Sequence, residues 1–362
     1  MKILITGVAG MVASHLADLL IEKGIEIYGT YRWQEDMINI EHIKDKIKLM
    51  PMNLNDFSNV LRVINEIKPD AISHLAAESY VNDSFDHPEE SIRTNTIGTL
   101  NILEAVRLVM NMNGYKTKVV KDNWGKPKNE IKPFDPVIHI CSSSEVYGLV
   151  KKEDVPIKET QSFNPSNPYA VGKVGADMLA LMYYTNYGLK TIRTRMFTHF
   201  SYRRKMLSAE VNFANQIATF EKMYDELKDM KGKDWEVEKD TIEFYLKHGN
   251  LNSVRTWADA RDAVKAYYLI LTQPSNFGEV YNIGGNTTKT IGEMLDYMIS
   301  LSPLKDKIKK EQDPKLMRNY DVTLQIPDCS KFKKDYPTWK PEITFEKSIQ
   351  DLLNQKRKDV QR

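Results

Sequence analysis

The sequence has little of what secreted, metal-binding or membrane-spanning proteins need. Only two cysteines occur in 362 residues, and Cys141 and Cys329 lack the spacing of a metal-ligand set or of a disulfide framework. No stretch approaches the roughly 18 uninterrupted apolar residues of a transmembrane helix. The chain opens on a predicted strand rather than on a signal peptide. These absences predict a cytoplasmic protein that binds no metal and contacts no membrane.

The charge is close to balanced, because 51 basic residues face 49 acidic ones and the formal net charge is +2. No basic block interrupts the sequence, so we expect no nucleic acid as a partner. A length of 362 residues suffices for two domains with a substantial core. Two polar or charged stretches, 113–136 and 219–241, are predicted to be solvated insertions, the second of them partly helical.

The N-terminal segment reads as a strand, a glycine turn and a helix. An apolar strand over Lys2–Thr6 runs into Gly7 and Gly10, and a helical pattern follows from Ser14 to Lys23. Glycines in such a turn let the backbone approach a pyrophosphate, which then lies at the helix N-terminus. The pattern therefore predicts a dinucleotide site, whose candidate residues in this turn are Gly7, Ala9, Gly10, Met11 and Val12.

The second strand, predicted near 25–28, lacks the acidic residue that ordinarily binds the ribose 2′-hydroxyl. Arg32 follows it instead, and a guanidinium there can accept a 2′-phosphate. This substitution favours NADP over NAD as the cofactor. The alternative interpretation is that Arg32 is a solvated loop residue, in which case NAD fits as well.

Strand and helix patterns alternate through the first half of the chain. Strands are predicted at 47–50, 71–75, 137–141 and 191–196, with helices at 56–67 and 89–110 between them. Such alternation predicts an α/β fold, a Rossmann-type doubly wound parallel sheet with ligands at the carboxyl ends of its strands. The last strand before 191–196 breaks into hydroxyls and a carboxylate where it ends, at Ser143, Ser144 and Glu145.

A helix with a phenol and an ammonium on one face follows that strand end. Asn167 and Pro168 supply an N-cap and a first-turn proline, and Tyr169 and Lys173 lie four residues apart. Hydroxyl, phenol and lysine together suit the oxidation of an alcohol by a nicotinamide cofactor. Simple oxidation does not need Glu145. Its presence predicts a second proton transfer, and hence an elimination.

These motifs resemble those of the extended short-chain dehydrogenase/reductases, and most closely those of the GDP-mannose 4,6-dehydratases. The resemblance covers nearly the whole chain outside the two insertions. It rests on the glycine turn, the Tyr169/Lys173 pair and four further stretches, namely Leu75-Ala76-Ala77, Asn95-Thr96-Ile97-Gly98-Thr99, Ser143-Ser144-Glu145-Val146-Tyr147-Gly148 and Gly249-Asn250-Leu251-Asn252-Ser253-Val254-Arg255-Thr256-Trp257.

The resemblance implies a role for each catalytic candidate. Lys173 binds the nicotinamide ribose and lowers the pKa of Tyr169, which removes the proton of the sugar 4-hydroxyl. Ser143 binds the same oxygen. Glu145 takes the C5 proton, Ser144 assists the departing hydroxyl, and hydride return to C6 gives a 4-keto-6-deoxy sugar. Two alternatives stay open: a C4 dehydrogenase, epimerase or reductase that never eliminates water, and a non-catalytic cofactor-binding regulator.

The resemblance also implies binding residues beyond the glycine turn. For the cofactor these are Asn53, Leu54, Leu75, Ala76 and Ala77, besides Tyr169 and Lys173. For the nucleotide sugar they are Ser84, Asn95, Thr198, His199, Arg203, Arg204, Arg255 and Arg318. Arg255 has a structural alternative, which is an ion pair with Asp259 or Asp262.

The sugar is less well defined than the chemistry. Thr198 stands where the superfamily usually has asparagine, so GDP-mannose and GDP-mannoheptose are both expected substrates. The predicted domains are a Rossmann domain over 1–195, with 245–270 returning to it, and a smaller C-terminal α/β substrate lobe over 196–244 and 271–362. By the same resemblance we expect a homodimer, with a tetramer as the alternative, through helices near 95–110 and 169–187.

Overall fold

The computed structural model describes residues 1–112, 134–205, 208–231, 235–317 and 322–361. Most of the predicted insertion at 113–136 and the candidate Arg318 lie outside the described residues. The strands, in chain order, are β1 (Lys2–Thr6), β2 (Glu26–Tyr31), β3 (Lys48–Pro51), β4 (Ala71–His74), β5 (Val137–Ser143), β6 (Thr191–Met196), β7 (His199–Phe200), β8 (Phe244–His248), β9 (Val254–Asp259), β10 (Val280–Ile283), β11 (Thr287–Thr290), β12 (Ile308–Gln312) and β13 (Leu324–Gln325).

Helices lie between most of these strands. They are α1 (Met11–Glu22), α2 (Phe57–Ile67), α3 (Val81–Asp86), α4 (Pro88–Ile92), α5 (Gly98–Met112), α6 (Pro168–Tyr187), α7 (Ala209–Lys231), α8 (Trp235–Glu238), α9 (Ala260–Thr272), α10 (Ile291–Ser300), α11 (Ser330–Asp335) and α12 (Phe345–Gln361). The predicted helix at 89–110 is broken by a π-helical turn over Arg93–Ile97, which separates α4 from α5.

The main sheet has seven strands in the order β10-β6-β5-β4-β1-β2-β3, and every neighbouring pair is parallel. Side chains alternate between its faces with the period of two that a strand imposes. Ile3 and Ile5 join the core under α1 and α9, whereas Leu4 joins the core under α2, α5 and α6. Helices therefore cover both faces, and the predicted doubly wound Rossmann-type sheet is confirmed.

The C-terminal lobe contains two smaller sheets. In one of them β9 pairs with β11, β13 and β7, and in the other β8 pairs with β12. A separate apolar core fills the lobe between α7, α10 and α12. The second insertion contributes to this core: α7 runs through its first half, and Phe220 stacks on Phe244 with ring centroids 5.0 Å apart. That part of the insertion is thus packed rather than only solvated.

The segment that returns to the main sheet differs from the predicted 245–270. Strands β8 and β9 lie in the lobe sheets, whereas α9 packs against the sheet and β10 pairs with β6. Strand β10 belongs to the main sheet because its residues Val280 to Ile283 pair in parallel with Arg193 to Met196 of β6 and add one strand to the sheet. The part of the chain that the structure describes has no helix with the length and apolarity that crossing a bilayer requires.

Candidate active site

The glycine turn forms an open cradle at the N-terminus of α1. Gly7 has a φ of +67°, and a Cβ added there would lie 3.0 Å from the Ala76 Cα. Gly10 is the N-cap of α1 and has no side chain to cap the helix. The first backbone N–H groups of the helix, from Met11 and Val12 onward, therefore receive no side-chain hydrogen bond from the N-cap. The turn therefore combines close backbone approach with the positive end of a helix, which is what a pyrophosphate needs.

A hydroxyl joins this turn to the end of β4. The Oγ1 of Thr6 accepts hydrogen bonds from the backbone N–H groups of Leu75, at 3.1 Å, and Ala76, at 3.0 Å. It also lies 2.9 Å from Nδ1 of His74. The predicted cofactor residues Leu75, Ala76 and Ala77 are thereby held beside Gly7. On the other side of β1, the buried Ala9 is contacted by Asn39, whose amide donates to its carbonyl at 3.0 Å.

Asn53 and Leu54 follow β3 at the same edge of the sheet, where they shape the loop. The backbone N–H of Asn53 donates to Asn59 Oδ1 at 2.9 Å, and the Leu54 carbonyl accepts from Asn101 Nδ2 at 2.7 Å. The Leu54 side chain also fills the space beside Gly98, where an added Cβ would lie 3.0 Å from its Cβ. Their cofactor role stays a prediction.

Arg32 is not a merely solvated loop residue. Its side chain is 61% exposed, yet Nη1 donates to Glu78 Oε1 at 2.7 Å and Nε donates to Glu35 Oε2 at 3.4 Å. Burial raises the pKa of the Glu78 carboxyl, and the Arg32 charge opposes that shift. The guanidinium thus lies between two carboxylates at the predicted adenosine end of the site.

The alcohol-oxidising group lies at the carboxyl end of β5. Asn167 caps α6 by accepting from the Ala170 N–H at 2.8 Å, and Pro168 occupies the first turn, as predicted. Lys173 is buried, and its Nζ donates to the Cys141 carbonyl at 2.9 Å. The same Nζ is 5.9 Å from the centroid of the Tyr169 ring. The strand end and the helix therefore bring the predicted pair beside Ser143.

The pKa of Tyr169 moves in the direction opposite to the prediction. Burial raises it well above its ordinary value of 10, and the hydrogen bond with Ser143 opposes that rise. The Lys173 ammonium donates to the Cys141 carbonyl and lies 5.9 Å from the centroid of the Tyr169 ring. Burial also lowers the pKa of Lys173, since desolvation disfavours the charged amine.

Glu145 lies in the short turn after β5 and is held by two amides. Asn167 Nδ2 donates to its Oε2 at 3.1 Å, and Gln325 Nε2 donates to its Oε1 at 2.7 Å. The backbone N–H of Glu145 donates to Ser143 Oγ at 3.2 Å. The carboxylate is therefore fixed beside the alcohol-oxidising group rather than turned out to solvent.

Sequence reasoning missed Gln325. Its Oε1 accepts from the hydroxyls of Ser144 and Thr198, each at 3.2 Å, while its Nε2 holds Glu145. Leu324-Gln325-Ile326 shows only the alternation that is ordinary in a half-buried strand, so the sequence carries no signal that singles out Gln325. Ser144 and Thr198 thus meet in one hydrogen-bond cluster, and each hydroxyl donates to Gln325.

The two arginines of the predicted basic pair after β7 make different contacts. Arg203 donates to Asp18 Oδ2 of α1 at 2.7 Å and is nearly buried, so it joins the lobe to the Rossmann sheet. Arg204 Nη1 donates to the His199 carbonyl at 2.7 Å and lies 3.4 Å from Glu210, and its charge reaches Tyr169. Burial lowers the pKa of His199 to about 4. The two arginines therefore have different partners, Arg203 on α1 and Arg204 on β7 and α7.

Three other substrate candidates have structural contacts. Asn95 is buried, and its amide makes two hydrogen bonds with the backbone of Glu78: Oδ1 accepts from the N–H at 3.1 Å, and Nδ2 donates to the carbonyl at 2.9 Å. The Ser84 hydroxyl donates to the Val81 carbonyl at 2.6 Å. Asn95 thus holds the loop that carries Glu78. Arg255 lies on β9 opposite Gln325 of β13.

The structural alternative for Arg255 is not observed, because its two proposed carboxylate partners are occupied elsewhere. Asp259 binds Arg261 and Ser348, and Asp262 accepts from Lys265 and from two backbone N–H groups. A substrate role for Arg255 stays a prediction.

A parallel Rossmann sheet with Ser143, Tyr169 and Lys173 at its carboxyl edge defines a short-chain dehydrogenase/reductase. Within that class, the chain belongs to the GDP-mannose 4,6-dehydratase family, because the family model described as GDP-mannose 4,6 dehydratase matches residues 4–352. The GDP-mannose 4,6-dehydratase of Yersinia enterocolitica is 29% identical over 386 residues, a match that spans 97% of this chain and 92% of that protein. The predicted enzyme class, a nucleotide-sugar 4,6-dehydratase, is confirmed by this membership.

Solved structures show the same fold. A UDP-glucose 4-epimerase from Thermotoga maritima, solved with UDP-glucose, has a TM-score of 0.76 and 22% identity and covers 99% of this chain and 100% of its own. A dTDP-glucose 4,6-dehydratase from Bacillus anthracis, solved with NAD, has a TM-score of 0.73 and 23% identity and covers 100% of this chain and 98% of its own. Epimerases and dehydratases share this fold, so the fold does not separate the two chemistries.

Proposed function

We propose that the protein removes water from a GDP-linked sugar, GDP-mannose or GDP-mannoheptose, and gives a 4-keto-6-deoxy sugar. The observation that carries this proposal is the placement of Glu145. Its carboxylate is held by Asn167 and Gln325 beside Tyr169, where an oxidation that stopped at the ketone would need no base. The family membership supports the same reaction.

The first step is proton removal from the sugar 4-hydroxyl. Tyr169 takes this proton, and Ser143, which is hydrogen-bonded to the phenol, binds the same sugar oxygen. Because burial raises the pKa of Tyr169, the phenol needs the Lys173 charge close by to ionise. We propose that Lys173 exchanges its bond to the Cys141 carbonyl for the nicotinamide ribose and then acts on Tyr169.

The second step is the elimination. The 4-ketone acidifies the C5 hydrogen, and the Glu145 carboxylate takes that proton. The electron pair forms the C5–C6 double bond as the C6–O bond breaks, and the proton held by Glu145 leaves with the C6 hydroxyl as water. A proton then returns to C5 from Glu145, recharged from solvent, when C6 is reduced. Every proton thus passes through Tyr169 or Glu145.

The glycine turn fits a dinucleotide. The close approach of Gly7 to Ala76 and the uncapped N-terminus of α1 suit a pyrophosphate, which Ala9, Met11 and Val12 would flank. When bound, the nicotinamide supplies the hydride acceptor for C4 and the hydride donor for C6. We propose NADP, with Arg32 holding the 2′-phosphate in exchange for Glu35 or Glu78. The alternative is NAD, which has no 2′-phosphate for Arg32 to bind.

Two arginines support a diphosphate linkage in the substrate. Arg204 lies close enough to the catalytic group for its charge to act on Tyr169, and Arg255 lies on the strand beside Gln325. Guanidinium groups bind phosphate oxygens in bidentate geometry. We propose that both contact the GDP moiety. The predicted substrate role of Arg203 would require it to leave Asp18, from which it lies 2.7 Å away in this structure.

We propose a homodimer, with a tetramer as the alternative. Exposed apolar side chains on and beside α5 and α6 support a helical interface, since a lone chain would leave them in water. They are Ile97, Met112, Val171 and Met178. Light scattering of the purified protein distinguishes these states. The cytoplasmic location predicted from the two cysteines also stays a prediction.

The test of the proposed function is product analysis by mass spectrometry with GDP-mannose and GDP-mannoheptose. The wild type should give a product lighter by one water without net reduction of cofactor. Glu145→Gln, which keeps the shape of the side chain, should slow water loss by about a hundredfold or more. A product lighter by two hydrogens, with stoichiometric reduced cofactor in the wild type, would instead assign a C4 dehydrogenase.

A further inference from the structure

The Glu145 carboxylate is fixed from two separate parts of the chain. Its Oε2 accepts from Asn167, which lies at the start of α6, and its Oε1 accepts from Gln325, which lies on β13 of the lobe. The shorter contact, 2.7 Å, is the one to Gln325. The orientation of the carboxylate about its last side-chain bond therefore depends on a residue 180 positions away.

The orientation of the Gln325 amide is determined by its own neighbours. Its Oε1 faces the hydroxyls of Ser144 and Thr198, which can both donate, and its Nε2 faces a carboxylate, which can only accept. A flipped amide would put two oxygens of Glu145 and Gln325 against each other. Since the side chain is 3% exposed, water cannot relieve that contact.

The backbone that carries Gln325 is anchored on both sides. Strand β13 pairs with β9, where Gln325 lies opposite Arg255. The Ile157 N–H donates to the Ile326 carbonyl at 2.7 Å, and the Asp328 N–H donates to the Ile157 carbonyl at 2.8 Å. Gln325 is therefore presented to Glu145 by a rigid element rather than by a loop free to swing.

We propose that Gln325 is the positioning residue of the elimination step. A side-chain amide neither gains nor loses a proton at any pH at which the protein is folded. Gln325 therefore orients the Glu145 carboxylate without competing for the C5 proton. It also engages the Ser144 hydroxyl as a donor. That hydroxyl therefore supports the amide, in place of the predicted assistance to the departing group.

Gln325 has no hydrogen bond to Tyr169 or Lys173 within the described ranges, so it should leave C4 oxidation alone. This separation gives the inference a kinetic signature that a general structural defect would not produce. The inference rests on the proposed function, since it assigns Gln325 to a step in which Glu145 acts.

The experiment is rapid mixing of cofactor-loaded enzyme with whichever of GDP-mannose and GDP-mannoheptose the wild type converts. The rise of reduced nicotinamide absorbance reports C4 oxidation, and its decay reports elimination followed by hydride return. In Gln325→Met the rise should keep its wild-type rate, whereas the decay should slow by about a hundredfold, as expected for a misplaced base. A deuterium isotope effect from C5-deuterated sugar should grow in the decay phase alone.

Two further variants keep the result interpretable. Gln312→Met makes the same substitution at an exposed position of β12 and should leave both phases unchanged. Gln325→Glu keeps the shape and the acceptor for Ser144 and Thr198 but opposes Glu145 with a second carboxylate. It should slow the decay even if Gln325→Met does not fold.

The outcomes separate the two proposals. If Glu145→Gln stops water loss while both Gln325 variants decay at the wild-type rate, the positioning role is wrong and the proposed function stands. Equal slowing of rise and decay in the Gln325 variants would also overturn the positioning role, because it would mean a general packing defect. If Glu145→Gln dehydrates normally, the role of Glu145 is wrong and the positioning role of Gln325 falls with it. The proposed function itself fails only if the wild type forms no dehydrated product.

Discussion

The two halves of the site are built differently. The oxidation group, defined as Ser143, Tyr169 and Lys173, comes from one strand end and the helix that follows it. The elimination group, defined as Glu145 and Gln325, joins the Rossmann sheet to the C-terminal lobe across 180 residues. In the role proposed for Gln325, the lobe contributes to elimination through its contact with Glu145 and has no part in the oxidation of C4. The dehydratase chemistry would then depend on both parts of the chain, with the base on the sheet and its positioning residue on the lobe.

The two groups also differ in the side chains that surround them. Beneath the oxidation group lie the buried histidines His74 and His139, whose pKa values are lowered to about 3 by burial and by the positive charge of Lys173. In the described structure, the side chains that hold Glu145 are neutral amides, Asn167 and Gln325. Acid should therefore destabilise the sheet beneath the oxidation group through these two histidines.

The largest expected effect is the loss of both steps in Tyr169→Phe. Without the phenol no group takes the 4-hydroxyl proton, so turnover should fall by about a thousandfold or more, and no reduced cofactor should accumulate. Steady-state turnover and rapid-mixing absorbance measure the two effects. Tyr184→Phe, at an exposed tyrosine of the same helix, should be silent. An unimpaired rise phase in Tyr169→Phe would contradict the division into two groups.

The next effect concerns stability in acid. Burial lowers the pKa of His139 from 6.5 to about 3, so the unfolded chain binds this proton more tightly than the folded one. The stability contributed by the neutral ring is complete above pH 6.5 and is lost as the pH falls towards 3. The free energy of unfolding should therefore drop by about 1.4 kcal/mol per pH unit for each such histidine.

His139→Gln isolates this contribution. Chemical unfolding at several pH values within that window should give a slope smaller by about 1.4 kcal/mol per pH unit than that of the wild type. The absolute stability of the variant is also expected to fall, since Ser73 and Thr194 lose the ring nitrogens, but the slope is the test. An unchanged slope would mean that the buried His139 ring does not supply this acid-sensitive part of the stability.

The smallest effect is expected from Thr198→Val. It removes one of two hydroxyls that donate to Gln325 and leaves the contact to Glu145, so elimination should slow by less than about tenfold, the value of one neutral hydrogen bond. The decay of reduced-nicotinamide absorbance in a single turnover measures the rate of elimination. A raised KM for the sugar with unchanged decay would instead support the direct substrate contact first predicted for Thr198.

What the sequence predicts well is local. The cap at Asn167, the spacing of Tyr169 and Lys173 and the polar break after β5 are short-range patterns, and each fixes the geometry of a single element. The doubly wound sheet follows from the same kind of pattern, apart from β10, which joins the sheet only through its long-range pairing with β6.

What the sequence does not reveal depends on contacts between distant segments. The ion pair between Arg203 and Asp18 of α1 cannot be predicted from the sequence. The same holds for the two hydrogen bonds between the Asn95 amide and the backbone of Glu78. Gln325 carries no motif of its own, and its role appears only when β13 lies beside the turn that carries Glu145.

The most direct test of two separable groups is rapid-quench mass spectrometry of a single turnover by Glu145→Gln. The variant should form a sugar lighter by two hydrogens at the wild-type rate of C4 oxidation and hold it without losing water. A product lighter by one water at the wild-type rate would contradict the role of Glu145. Loss of C4 oxidation as complete as in Tyr169→Phe would contradict the separation of the two groups.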